Sequence, residues 1–594
     1  MRLNRLVFVL LLLALLLASC SDQAPAPVAE AATPAPASST PVAPTATASP
    51  TAMPTASPTA TETPAPTATP TPAYEVVRLA VDEALAAYDP TALDALAALD
   101  LREAGYALEL APEQTATHRL RLALAEQAPA PGEDVYPLGV HVYVIVAPFD
   151  DLRDELTLDE LRLRWAGQGQ GALLASQETA ALFAAAWGPG EPQLVADEAL
   201  LAALLADADA VGLLPFDALA PTFKALRLDG ASPLDRELDM ADYPLALALW
   251  LEGAGADEIG PLVAAPWDGW ANRDPERMTE LIMTGVTAMC RLTADRMERY
   301  GVLYPAQVIS DVLRAADITH VSNEVPFVKG CPVNTASGNL TFCSDYPYWG
   351  ALEAIGTDIV GLSGNHVNDY GYAGARESIA FYRERGIPIY GSGLNEEEAC
   401  APLFIEHNGN RLAFIATLAF EPSWAWATDE LPGACYFYNN KERLLALISE
   451  LDADPEVDLV AIELQYLETY NPYPTAQQVE EFRELREVGA DIVTGVQSHV
   501  PQAWEPYDAS SAQGPGIIVY GLGNLFFDQM WSWETRTGLI ARHTIYQGRL
   551  LHSEILTTVL EDYAQPRWAT PEERLEILQR IHQAAPPLAG PATP

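Results

Sequence analysis

Residues 361–371 read GLSGNHVNDYG, and the run DIVGLS leading into them stops directly on Gly364, Asn365 and His366. Open α/β sheets collect their working polar groups just beyond the C-terminal strand ends, so an amide and an imidazole placed there mark a candidate site. Taken alone, Asn-His after a strand is more often a turn or a cap, and the weight falls on what accompanies it. Comparable runs recur at LIMTGVT (281–287), ITHVSNE (318–324), VDLVAIELQ (457–465), DIVTGVQ (491–497) and GIIVYGLGN (516–524). Helical patterns such as PAQVISDVLRAAD (305–317), AGARESIAFYRERG (373–386) and PTAQQVEEFRELREVG (474–489) separate most of them. That alternation predicts a layered α/β domain over 279–560. Within it, Asn408-Gly409 predicts a tight hairpin.

Outward from this domain the chain changes character. Residues 1–20 carry Arg2, Arg5 and the apolar run LVFVLLLLALLLA, the layout of a secretory signal peptide, and they end in LASC, which resembles a bacterial lipobox with Cys20 as the lipidated residue. Residues 21–73 are almost wholly Pro, Ala, Thr and Ser and predict an unfolded, extended tether. Residues 74–265 again alternate strand and helix patterns, with Thr157 and Glu160 forming a capping box. Residues 266–278 read as a linker, and 561–594 as a C-terminal helix and tail. The expected product is exported and held to the membrane by lipid alone, facing the extracytoplasmic side.

Composition narrows the functions. The 594 residues hold 81 acidic against 33 basic side chains, a formal charge of −48 that repels nucleic acid and anionic lipid. Six cysteines in an exported chain permit disulfides. Cys331 with Cys343 is the first expected pair, Cys400 with Cys435 the second, and Cys290 is left over. No Gly-x-Ser-x-Gly elbow, P-loop or HExxH occurs, which removes serine hydrolase, NTPase and zincin readings.

Two resemblances follow from the residues. YPLGVHVYVIVAP (136–148), TLDELRLRWAG (157–167), VGLLPFDAL (211–219) and DYPLALAL (242–249) resemble pieces of phosphate-type periplasmic solute-binding proteins. The family's Gly-Ser-Thr anion loop has no counterpart in YEVVRLAVDEALAAYDP (74–90). The second domain is more distinctive. TGVTAMCR (284–291), SNEVPF (322–327), SGNHVNDYG (363–371), ELQYLETY (463–470), GVQSHVPQ (495–502) and YGLGNLFFD (520–528), in that order, resemble the CapA capsule-synthesis family. That resemblance implies a calcineurin-like metallophosphoesterase fold and a role with poly-γ-glutamate capsules.

Chemistry in such a fold uses two divalent ions about 3.5–4 Å apart, held by carboxylate, amide and imidazole ligands at the strand ends. Against the family pattern, Val286 stands where an Asp is expected, and Gln465 and Gln497 stand where His residues are expected. What the resemblance leaves is Glu324, Asn365 and His499 as metal ligands, with His366 and Asp369 as a proton-handling pair. Gln465, Gln497 and Asn524 complete the pocket. One divalent ion (Mn, Fe or Zn) or none is expected. Tyr466, Tyr470, Tyr473, Trp504, Trp531 and Trp533 are candidate walls of a polymer groove. The leading expectation is an envelope accessory protein working with a surface polymer or its synthesis machinery. A metal-dependent envelope phosphoesterase and a small-anion receptor are the alternatives, so enzymatic activity stays open.

Overall fold

The structure is a computed structural model that describes residues 74–336, 338–507 and 514–587. The expected signal peptide with Cys20, the expected tether at 21–73 and the end of the expected tail lie outside the described residues. The described residues belong to one unit.

Its first part is built on the strand Val135–Pro148. The run from Val142 to Ala147 is buried on both faces, as a continuous apolar strand requires. It pairs antiparallel with Ala246–Glu252, Val211–Pro215 and Phe223–Leu228 within a ten-stranded sheet. The Thr157–Glu160 capping box opens the helix Leu158–Trp165.

The second part is a four-layer sandwich of helix, sheet, sheet and helix. In the eight-stranded sheet, Met278–Thr287, Ile318–Asn323 and Thr357–Gly361 run parallel, and Thr537–Tyr546 and Arg549–Glu561 extend it. In the six-stranded sheet, Asn410–Leu418, Leu459–Gln465 and Ile492–Val496 run parallel. Alternate residues of each strand point between the sheets, so Leu281, Met283 and Ile359 meet Phe414, Ala461 and Ile492. The opposite faces carry Ile415 and Val460, in one core with Leu444 of the helix Phe437–Asp452, and Ile282 and Val321, in another with Met297 of the helix Arg291–Tyr300. The loop Asn408-Gly409, with φ of 49° and 73°, closes the hairpin of Leu403–His407 and Asn410–Leu418.

Three local expectations change. GIIVYGLGN is not one strand: Gly516–Val519 belongs to the six-stranded sheet and Asn524–Phe526 to the eight-stranded one. The chain crosses between sheets at residues 520–523, where Gly523 adopts φ 71°. PAQVISDVLRAAD forms only a short turn of helix at Ser310–Leu313 after a 3-10 turn. The segment 266–278 is packed rather than free: Trp267, Trp270 and Asn272 are buried, and Asn272 bonds both ways with Val142.

The two parts are joined by half-buried and exposed charges. Arg574 on the C-terminal helix Pro571–Gln583 makes two hydrogen bonds of 2.9 Å to Asp154, which Lys224 also contacts at 2.7 Å. Arg236 pairs with Asp317 and donates to the Met278 carbonyl at 2.8 Å. Disulfides join Cys331 to Cys343 and Cys400 to Cys435, and Cys290 is a buried thiol whose pKa burial pushes up. No helix among the described residues is long and apolar enough to cross a membrane.

Between the two sheets, just beneath the strand ends, His320 Nε2 and Glu463 Oε2 lie 3.3 Å apart, both with 0% side-chain exposure. Burial pushes Glu463 up to about 8 and His320 down to about 3, so near neutrality both are uncharged. Gly361 faces them: a Cβ there would stand 2.8 Å from Glu463 Oε1 and 3.0 Å from His320 Nε2. Because the folded acid holds its proton more tightly than the unfolded one, its stabilising contribution is complete below pH 4.5 and is lost as pH rises through about 8. Glu463→Gln, the shape of the protonated acid, removes this loss. Urea unfolding is expected to show similar stabilities for variant and wild type in acid and a growing advantage for the variant as the medium becomes alkaline. A difference that does not change with pH contradicts the assignment.

Candidate functional site

Each candidate ligand from the sequence sits on a strand end or on the loop just after one. Glu324 follows the strand Ile318–Asn323, Asn365 and His366 follow Thr357–Gly361, and Gln465 closes Leu459–Gln465. Gln497 and His499 follow Ile492–Val496, and Asn524 opens the short strand that has crossed sheets. Gly364 allows two of these ends to meet, since a Cβ on it would lie 2.5 Å from the Glu324 backbone.

The centre of the site is an amide. Gln465 Nε2 donates to Glu324 Oε1 at 3.2 Å, to Asn365 Oδ1 at 3.3 Å and to Gln497 Oε1. Three oxygens thus converge on one neutral donor, and the second carboxylate oxygen of Glu324 is buried without a hydrogen-bond partner. His499 Nδ1 donates to Asn524 Oδ1 at 2.9 Å, which fixes the ring's orientation. The Tyr470 ring stacks on His499 with centroids 5.5 Å apart, and Trp531 meets Tyr470 at 5.4 Å. His366 Nδ1 bonds Asp369 Oδ2 at 2.6 Å, and the same oxygen accepts the Phe342 N–H at 2.7 Å.

The backbone here is held in costly shapes. Tyr470, Gln497 and His499 have φ of 50°, 86° and 54°, and Arg291 has φ of 46°. Non-glycine residues in that region cost on the order of 1 kcal/mol each and gather at working sites. Arg291 is anchored by Asp528, which also accepts the Leu292 N–H at 3.0 Å, and lies over the rings of Phe342 and Phe527. Neither Arg291 nor Asp528 is legible as a partner in the sequence, because they lie more than two hundred positions apart with no motif to link them.

Does this donor set suit a divalent ion? Glu324, Asn365 and His499 could supply the first ligands, with Gln oxygens beside them. Two features oppose it. The place of the expected first-strand carboxylate is apolar: Val286 and Ala288 share a buried cluster with Cys290, Val325, Phe342, Val496 and Phe527. On the other side, the oxygens that would face a cation face the Gln465 amide nitrogen instead. Among the described residues no three His, Cys, Asp or Glu side chains are grouped so as to hold a metal ion. The residues present do not fit the two-ion centre, and the focus of Glu324, Asn365 and Gln497 is already filled by a donor. Neutral amide oxygens are also poor ligands for transition metals.

The aromatic candidates divide. Tyr466 and Trp504 are core residues, Trp533 is half-buried at the start of a short helix, and Tyr470, Tyr473 and Trp531 are exposed at the loops around the site. His366 is the group whose proton affinity the site sets most clearly. Burial alone would lower it, but the Asp369 hydrogen bond and the charges of Glu324 and Asp369 outweigh that and hold its pKa above 6.5. Histidine-selective NMR, with His366→Gln identifying the resonance, is expected to give a midpoint above 6.5 that falls in Asp369→Asn. An unmoved midpoint contradicts the pairing.

Comparison with known proteins places this domain. Residues 280–529 match the model of the family described as bacterial capsule synthesis protein PGA_cap. The capsule biosynthesis protein CapA of Bacillus anthracis is 28% identical over 303 residues, spanning 50% of this chain and 71% of that protein. A 5'-nucleotidase precursor from Thermus thermophilus is similar at TM-score 0.29 and 12% identity, over 52% of this chain and 58% of that one. An ABC-type phosphate transport receptor from Vibrio cholerae is similar at TM-score 0.24 and 12% identity, over 32% of this chain and 93% of that one. Residues 280–529, with the six strand-end pieces in order around a Gly-Asn-His turn, are thus similar to the bacterial capsule synthesis family and to CapA.

Proposed function

We propose that this chain is an extracytoplasmic accessory protein of capsule or related surface-polymer synthesis, anchored by lipid at Cys20 and carried away from the membrane by the 21–73 tether. Its strand-end pocket is an eroded metal site that holds its ligand by hydrogen bonds and ring stacking. The family match and the names of the relatives support the accessory role. The observation that carries the reading of the pocket is the Gln465 amide nitrogen at the focus of the Glu324, Asn365 and Gln497 oxygens. On this reading a donor of two N–H bonds stands in for the cation that a metal-dependent hydrolase would use to polarise a phosphoryl oxygen.

In this reading the pocket presents both polarities. His366, whose proton affinity Asp369 raises, offers an N–H to a carbonyl or hydroxyl oxygen, and His499 Nε2 serves as a second hydrogen-bonding atom. Metal-dependent phosphoester cleavage, the second class, loses its ligand set to Val286, Gln465 and Gln497.

Elemental analysis of the purified full chain tests the proposal. Substoichiometric Mn, Fe and Zn, and no turnover of bis(p-nitrophenyl) phosphate, are expected. The Val286→Asp, Gln465→His, Gln497→His triple variant is expected to gain bound metal. Two tightly held ions in the wild type, with turnover, contradict it.

A further inference from the structure

We infer that the cavity between the two parts of the molecule binds a small amino acid in its zwitterionic form. The cavity holds about 70 Å³, room for about five water-sized groups. One wall is the strand Phe223–Leu228 of the first part, and facing walls come from the strand Arg549–Glu561 and the helix Pro571–Gln583 of the second. Most polar groups on these walls are committed to one another. The few that are not define the ligand.

Two histidines leave hydrogen-bond donors free. The Ala225 N–H donates to His552 Nε2 at 3.2 Å, and the Trp504 indole N–H donates to His582 Nε2 at 3.0 Å. Burial pushes both rings down to about 4, so near neutrality each is uncharged and carries its one proton on Nδ1. Neither Nδ1 has a hydrogen-bond partner among the described residues, although His552 is only 4% exposed. The charge of Lys224 acts on both rings, and that of Arg574 on His582. These two cations share one carboxylate, Asp154, which leaves a positive charge unanswered. That corner suits a carboxylate.

Elsewhere on the walls the polarity is reversed. Arg542 is paired with Glu554 and Arg227 with Asp235, whereas the carboxyl of Glu280 has no hydrogen-bond or ion-pair partner among the described residues. Burial raises its pKa, and the charges acting on it most strongly are those of Arg542 and Asp317 rather than of Lys224. An ammonium group supplies the missing counterion. Phe149, Trp504, Ile555 and Leu578, members of one hydrophobic cluster, add an apolar wall for a side chain.

Charge balance separates a zwitterion from a simple ion. With Asp151 paired to Arg153, the cations and acids around the cavity are equal in number. An anion alone leaves Glu280 without a counterion, and a cation alone leaves the Lys224 corner unanswered. A zwitterion meets both and adds no net charge.

This site is separate from the strand-end pocket, and calorimetry on the full chain tests it. The probes are L-alanine and L-valine, each with the analogue that lacks the ammonium (propionate, 3-methylbutanoate) and the one that lacks the carboxylate (ethylamine, 2-methylpropylamine). At least one amino acid is expected to bind saturably, and both of its analogues to bind about tenfold more weakly or worse. Glu280→Gln is expected to weaken the amino acid about tenfold and to leave the carboxylate analogue where it was. No binding by either amino acid, an analogue without the ammonium that binds as tightly as its parent, or amino-acid affinity unmoved by Glu280→Gln would each overturn the inference. The analogue series is read on the wild-type chain, so it decides the question even where the variant fails to fold.

Discussion

A carboxylate buried at the junction of two sheets must be answered by a cation, a proton or a hydrogen-bond donor, because none of its hydration survives there. Glu324 is that carboxylate, and Gln465 answers it. The arrangement follows from the fold: parallel strands from both sheets end at one level, so a residue just past each strand end is delivered to the same spot. In such a position an ion and an amide are physical alternatives. An ion gathers oxygens by charge and gives chemistry. An amide nitrogen satisfies at most two acceptors well and gives a rigid, neutral contact surface. The orphaned second oxygen of Glu324 is what that mismatch leaves behind.

The layers beneath and beside the pocket are organised by the same need to avoid unpaired charge. Two residues back along the strands that lead to Glu324 and Gln465, Ser322 and Glu463 repeat the pairing in uncharged form, with the Ser322 hydroxyl 3.0 Å from Glu463 Oε1. At the end of the first strand of this sheet, Val286 and Ala288 close the wall with Phe342 and Phe527. The charges that do survive are paired at the pocket margin, Arg291 with Asp528 and His366 with Asp369, or at the contact between the two halves of the molecule, Arg574 and Lys224 with Asp154.

Much of the second part of the fold is legible in the sequence because its strands are short apolar runs that end on polar residues. LIMTGVT, ITHVSN and VDLVAIELQ each fall on a strand, and the last two deliver Glu324 and Gln465 to the site. What stays hidden depends on tertiary partners. GIIVYGLGN reads as one strand, yet its glycines let it change sheets. PAQVISDVLRAAD has helical spacing, but its opening proline falls in a 3-10 turn and close packing leaves little of the rest helical. The tryptophans of 266–278 look like those of a linker until a sheet is present to bury them. Side-chain identity at 465 and 497 is plain from the sequence, whereas which amide nitrogen faces which oxygen is a property of the folded pocket alone.

The most direct test of this account is anomalous diffraction from crystals of the full chain soaked in manganese and, separately, in zinc. The account predicts no anomalous peak within bonding distance of Glu324, Asn365 and Gln497, with the Gln465 side chain still turned toward them. A strong peak at that focus, with Gln465 displaced, would contradict it.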